Sequence, residues 1–137
     1  MQTDPTLRVL IVDDARVLRE LLTFAVDSDD RFSVAGCATD GEQAIRIAER
    51  DPADAIILDL QMPHMDGLTA LPRLRQLCPD AVIAAHSFDG EALERAVALG
   101  ADLSAAKGSE LDELLDAIAA CREARRRLHS SQVNGAA

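Results

Sequence analysis

A chain of 137 residues fits one domain and buries roughly two-thirds of the surface its unfolded form exposes, so it needs no disulfide or metal staple. Hydrophobic residues make up 48% and aromatics only 2%, which leaves Leu, Ile, Val and Ala to build the core. The formal net charge of -10 argues against a nucleic-acid-binding surface, and no apolar run approaches a membrane span. No signal peptide precedes Arg8. Cys37, Cys78 and Cys121 are odd in number and widely spaced. They read as small core or surface residues in a reducing environment, so the expected location is cytoplasmic.

Residues 1–6 are polar, contain Pro5 and read as a disordered start. Leu7 to Val12 is mostly apolar, as a central parallel strand covered on both faces should be, and it leads into Asp13 and Asp14. From Ala15 to about Asp27, Val17, Leu18, Leu21, Leu22 and Ala25 repeat at helical spacing. A charged turn follows, then a second strand, Phe32 to Ala38. Thr39-Asp40-Gly41 turns the chain into a helix from Glu42 to Arg50. That helix ends at Asp51-Pro52, because proline disfavours helical backbone in the residue before it. Ala55 to Leu58 is a third strand that runs straight into Asp59, and the chain then turns at Pro63 and again at Asp66-Gly67. A third helix spans Leu68 to Leu77, with Pro72 expected near its first turns, where a missing N–H costs least. Strand four is Ala81 to Ala85, and helix four spans about Gly90 to Leu99 and stops at Gly100. Strand five is Ala101 to Ala106, followed by Lys107-Gly108. Ser109, with Asp112 three residues on, is the expected N-cap of a last helix that runs to about Leu128. The domain is thus expected at 7–128, with a small, polar, disordered tail at 129–137.

Five alternations of strand and helix give an α/β fold, a (βα)5 doubly wound parallel sheet with helices on both faces. The flavodoxin-like order 2-1-3-4-5 places strands one and three side by side at the switch point, where open α/β sheets bind ligands. Asp13, Asp14, Asp59 and Lys107 all stand at that carboxyl edge. Alone, Asp59 would serve equally well as a turn residue or a helix N-cap. Three converging carboxylates repel, so one pKa rises or a cation intervenes. An all-oxygen set with room for water suits Mg2+ better than zinc. His64, His86 and His129 lack zinc spacing and read as loop or surface residues. Of the 14 basic residues only Lys107 is a lysine. A carboxylate beside a divalent cation and one ammonium can accept a phosphoryl group. Asp59 would be the nucleophile and become an acyl phosphate, while the metal and Lys107 neutralise the transferring oxygens.

Asp13-Asp14 after a first strand, Asp59-x-x-Met62-Pro63-x-Met65-Asp66-Gly67, and Gly100-Ala101-Asp102 followed by Lys107 resemble the receiver domain of two-component response regulators. The resemblance covers roughly Arg8 to Leu128. It implies that Asp59 is phosphorylated from a phosphohistidine on a sensor histidine kinase or a phosphotransfer protein. It implies that Asp14 and Asp59 ligate Mg2+ directly, that Asp13 acts mainly through water, and that the backbone carbonyl of Gln61 is a further ligand. Lys107 would contact the phosphoryl group. A homodimer through the fourth helix, fifth strand and fifth helix is implied in the same way. The only reactions implied are the domain's own phosphoryl acceptance and dephosphorylation.

The chain departs from that family's pattern at three places. The family usually carries Thr or Ser at the end of strand four. Counting back from Gly100 puts Ala85 there, counting forward along the strand puts His86 there, and Ser87 could serve only if the loop shifts. The aromatic residue of strand five is replaced by Ser104, and the proline after Lys107 by Gly108. Ser87 and Ser104 are therefore the candidate switch residues, and the expectation is phosphorylation with an atypical output switch. A phosphorylation-independent interaction module is the alternative, favoured by the missing hydroxyl and aromatic. An Mg2+-dependent phosphohydrolase is opposed by Gln61, which stands where such enzymes usually place a second acid. Arg122, Arg125, Arg126 and Arg127 read as cations at a helix C-terminus, facing its dipole and solvent. Phe88 is either a lid over the site edge or a partner contact.

Overall fold

The computed structural model describes residues 5–135. Ten elements alternate along it: β1 (Leu7–Val12), α1 (Arg16–Asp27), β2 (Phe32–Ala38), α2 (Gly41–Arg50), β3 (Ala55–Asp59), α3 (Gly67–Leu77), β4 (Val82–Ser87), α4 (Gly90–Ala98), β5 (Leu103–Ala106) and α5 (Leu111–Gly135). The five strands are parallel and lie in the order β2-β1-β3-β4-β5, as the alternation of strands and helices predicts. β1 and β3 pair from Val9↔Ala55 to Val12↔Leu58, so their carboxyl ends arrive side by side.

The pleat sorts side chains into two cores. Leu10, Val12, Ile56, Leu58 and Ile83 meet α2, α3 and α4 through Ala44, Leu71, Leu74 and Ala96. Val9, Ile11, Ile57, Val82 and Ala84 meet α1 and α5 through Leu22, Val26, Leu115 and Ile118. Every residue of β3 is buried, so its last residue, Asp59, is carried into the protein rather than out to water. Asp40, Asp66 and Asp89 cap α2, α3 and α4 by accepting backbone N–H bonds from the first turn.

Several boundaries differ from those read in the sequence. β4 continues through His86 and Ser87, because both still pair with β5 as His86↔Ala105 and Ser87↔Ala106. β5 starts at Leu103, since Gly100, at φ +114, turns the chain out of α4. Ser109 is not an N-cap. Its hydroxyl donates to Ala106 O at 2.5 Å and closes the turn before α5. Pro72 lies in the second turn of α3, near its first turns as expected, but already far enough in to deprive the Leu68 carbonyl of its helical partner. α5 does not stop near Leu128 but runs to Gly135. Neither Gly nor Pro interrupts it earlier, so the stretch expected to be a disordered tail is helical that far. Residues 1–4 and 136–137, where the rest of the disorder was expected, lie outside the described residues.

The longer α5 also overturns the dipole reading of its arginines, which stand mid-helix. Arg125 donates to Ala81 O at 2.6 Å and to Asp102, while Arg122 donates to Asp80 O at 3.2 Å. Arg75 reaches Asp102 from α3 at 2.6 Å, and Ile83 N donates to the same carboxylate at 2.8 Å. These contacts bind α3, β4 and α5 together at the amino edge of the sheet. Among the described residues no helix is long and apolar enough to cross a membrane.

Candidate functional site

The sheet itself holds the first acid. The Asp13 amide still pairs with Ala38 O at 3.1 Å, one residue past β1. Its carboxylate accepts from Ala15 N at 2.9 Å, and its carbonyl accepts from Arg19 Nη1 at 2.8 Å. Both bonds tie the end of β1 to α1. Asp59 Oδ1 accepts from Gln61 N at 3.2 Å, whereas Asp59 Oδ2 is buried and has no partner. Lys107, carried past the end of β5, places Nζ 3.0 Å from Asp13 Oδ2 and 3.2 Å from Asp59 Oδ1, with 7% of its side chain exposed. The contact with Asp13 Oδ2 is an ion pair without hydrogen-bond alignment. Asp14 is exposed, and one carboxylate oxygen from each of Asp13, Asp14 and Asp59 lies within 4.8 Å of the others. The cluster is closed by protein on one side and open to water at Asp14. A small hard cation that keeps part of its hydration shell fits such an all-oxygen set.

The charges respond to this crowding. Burial pushes the Asp59 carboxyl up from 3.8 to about 6. The Gln61 N–H resists the rise, Asp13 adds to it and Lys107 opposes it. Burial works against the Lys107 ammonium, but Asp13 and then Asp59 outweigh it and raise its pKa. Burial, helped by Lys107 and opposed by Asp13, lowers His86 below its ordinary 6.5 and keeps the imidazole neutral at neutral pH.

Two glycines shape the surrounding turns. A Cβ on Gly67 would sit 2.1 Å from Asp59 O, so only glycine lets α3 begin against the end of β3. Gly108, after Lys107, has φ +97, a backbone angle closed to proline.

A family model of the response regulator receiver domain matches residues 9–119. The chain belongs to this family. The protein-glutamate methylesterase/protein-glutamine glutaminase of Maricaulis maris is 44% identical over 98 residues, which are 69% of this chain and 24% of that protein. That of Rhodospirillum centenum, from its group 2 operon, is 41% identical over 102 residues, 74% of this chain and 24% of the other. The matches thus take in about a quarter of the length of these curated relatives. The response regulator domain of Thermotoga maritima CheB superposes with a TM-score of 0.78 at 27% identity, covering 87% of this chain and 98% of that one. The CheX-CheY-BeF3-Mg+2 complex of Borrelia burgdorferi gives a TM-score of 0.71 at 27% identity, covering 80% and 84%. Receiver domains generally bind Mg2+ at an acidic pocket, and this receiver domain has such an acid cluster.

Of the residues singled out in the sequence, Asp13, Asp14, Asp59 and Lys107 come together. Gln61 adjoins them through its amide, while its side chain reaches Asp89 Oδ2 at 3.2 Å. Ser87 and Ser104 do not join the cluster. Ser87 Oγ accepts from Asp89 N at 3.1 Å, and its side chain points to the opposite face of β4 from its neighbour His86. Ser104 is exposed and pairs with Ala85. The residue beside Asp59 in β4 is His86, paired with it in register and 2% exposed. His86 is therefore neither a loop nor a surface residue. The signal for this was strand parity: Val82, Ala84 and His86 share a face, and Ala84 stands beside Ile57 of β3, two residues before Asp59. Phe88 is 75% exposed, and its ring centroid lies 5.8 Å from Lys107 Nζ, a cation–π contact at the rim of the site.

Proposed function

We propose that this receiver domain accepts a phosphoryl group on Asp59, with Mg2+ held by Asp13, Asp14, Asp59 and the backbone carbonyl of Gln61. The observation that carries this reading is the buried Lys107 ammonium bridging Asp13 and Asp59 while Asp59 Oδ2 has no partner. With a pKa of about 6, Asp59 is mostly ionised at pH 7 and can act as a nucleophile. Its carboxylate attacks phosphorus as the P–N bond to a donor phosphohistidine breaks. The electron pair returns to the donor imidazole nitrogen, which takes up a proton. Lys107 neutralises one phosphoryl oxygen without reorganising, since the two acids already hold it in place. Bound Mg2+ supplies further neutralisation of the transferring oxygens.

The donor is a histidine kinase or a phosphotransfer protein, acting in the cytoplasm. Val17, Leu21 and Phe24, one face of α1, are each at least half exposed. Leu21 and Phe24 line a groove with Ser109, on the turn that follows Lys107, and with Leu111, the first residue of α5. An apolar helical surface that presents a phosphohistidine fits there, with the phosphoryl group over the acid cluster. The family resemblance alone supports dimerisation through α4, β5 and α5.

Incubation with acetyl phosphate and Mg2+ should add one phosphoryl mass to the folded wild type and none to Asp59→Asn. An unmodified wild type would leave the phosphorylation-independent module, which the positions of Ser87 and Ser104 favour, as the reading to keep.

A further inference from the structure

His86 is a buried imidazole for which neither the family pattern nor the acid cluster accounts. It pairs with Asp59 on one side and Ala105 on the other, and residues in register on neighbouring parallel strands present their side chains to the same face. The two residues are therefore Cα neighbours across β3 and β4, with the imidazole and the carboxylate on the same face of the sheet. It is 2% exposed, and its Nδ1 is buried without a partner. Buried polar atoms are nearly always hydrogen-bonded, because leaving one unmatched costs stability. Two more buried atoms at this edge lack a hydrogen bond, Asp13 Oδ2, which faces Lys107, and Asp59 Oδ2, on the carboxylate of the paired residue.

A phosphoryl group on Asp59 brings three oxygens into this space. Lys107 reaches across from the end of β5 to Asp13 and Asp59, and the open acid cluster accounts for a second direction. On this face β4 itself offers Val82, Ala84 and His86, so the imidazole is that strand's only polar side chain there. The hydroxyl of Ser87 is already bonded to Asp89 N.

We propose that His86 is the third holder of the phosphoryl group, donating an imidazole N–H to one of its oxygens from the strand position beside Asp59. This rests on the phosphoacceptor reading of Asp59. The ring fills the place where the family pattern has a small hydroxyl, so the contact is made by a rigid planar group that moves as a unit. The phosphorylation state is then reported through β4 by the orientation of one ring, with no part for Ser104.

The test uses beryllofluoride with Mg2+ as the phosphoryl mimic. Long-range 1H–15N spectra of the wild type record the imidazole nitrogens of His64, His86 and His129. On adding the mimic, the His86 N–H proton should move downfield and exchange more slowly with water, while His64 and His129 stay in place. The apparent dissociation constant for the mimic should rise about tenfold in His86→Ala, the expected loss of one hydrogen bond to a charged oxygen. It should recover in His86→Asn if Nδ1 is the donor, or in His86→Gln if Nε2 is. Amide shifts around Asp59 with unmoved His86 nitrogens would overturn the proposal and leave Asp59 as phosphoacceptor. Unchanged affinity in a folded His86→Ala would do the same. A wild type that neither binds the mimic nor gains a phosphoryl mass refutes both.

Discussion

Replacing Asp59 by asparagine should stabilise the metal-free protein at neutral pH. The carboxyl holds its proton to about pH 6 in the fold against an ordinary 3.8, because burial outweighs the help of Gln61 and Lys107. Each tenfold step in that equilibrium is ~1.4 kcal/mol, so the ionised form costs the fold about 3 kcal/mol. The sign follows from proton counting. Between the ordinary value of 3.8 and about 6 the native state binds more protons than the unfolded chain, so this group's contribution to stability falls as pH rises through that window. Above it the full cost is present. Asparagine keeps the shape and cannot ionise. Urea unfolding of wild type and Asp59→Asn, from acid to neutral pH with a chelator present, should diverge across the window by up to about 3 kcal/mol in favour of the variant. For a domain of this size that is roughly 10 °C in Tm. Other carboxylates, such as Asp29 and Asp51, whose arginine partners lower their pKa, act with the opposite sign. They are common to both proteins and cancel in the difference. Saturating Mg2+ should narrow the gap, because it binds the native wild type more tightly than the variant. Parallel stability profiles without metal would refute the claim that Asp59 is held ionised against the fold.

Gly67→Ala should lower stability by about 3 kcal/mol or more, seen as a fall in the urea midpoint, because the added carbon overlaps Asp59 O and α3 must move off β3. Asp102→Ala should cost about 3–5 kcal/mol in thermal or urea unfolding, since it leaves Arg75, Arg125 and Ile83 N without their shared acceptor. Asp14→Asn should leave stability within about 0.5 kcal/mol, because the side chain is exposed. It should nevertheless weaken Mg2+ binding about tenfold by calorimetry, since one of the carboxylates that cluster within 4.8 Å is lost.

Much of this protein was legible from local pattern alone. β1 and β2 fall where their apolar runs place them, and Asp13, Asp14, Asp59 and Lys107 are visible as polar residues that close apolar strands. Such patterns depend on periodicity within one element, which the chain carries in itself. The misreadings arose where an element's end is set by something outside it. Ser109 has the chemistry of a cap but spends its hydroxyl on Ala106 O. α5 outlasts its expected end because no Gly or Pro stands between Leu128 and Asn134, and Arg122 and Arg125 find partners on Asp80, Ala81 and Asp102 rather than a helix terminus.

By itself the sequence determined the class of fold, the order of the elements and the identity of the four charged groups at the carboxyl edge. Only the tertiary structure decided what stands beside Asp59. That depends on register across β3, β4 and β5, where a shift of one residue exchanges the two faces of a strand. With β4 extended to Ser87, the pairing Asp59↔His86 puts the imidazole on the acid's face and turns both serines away from it.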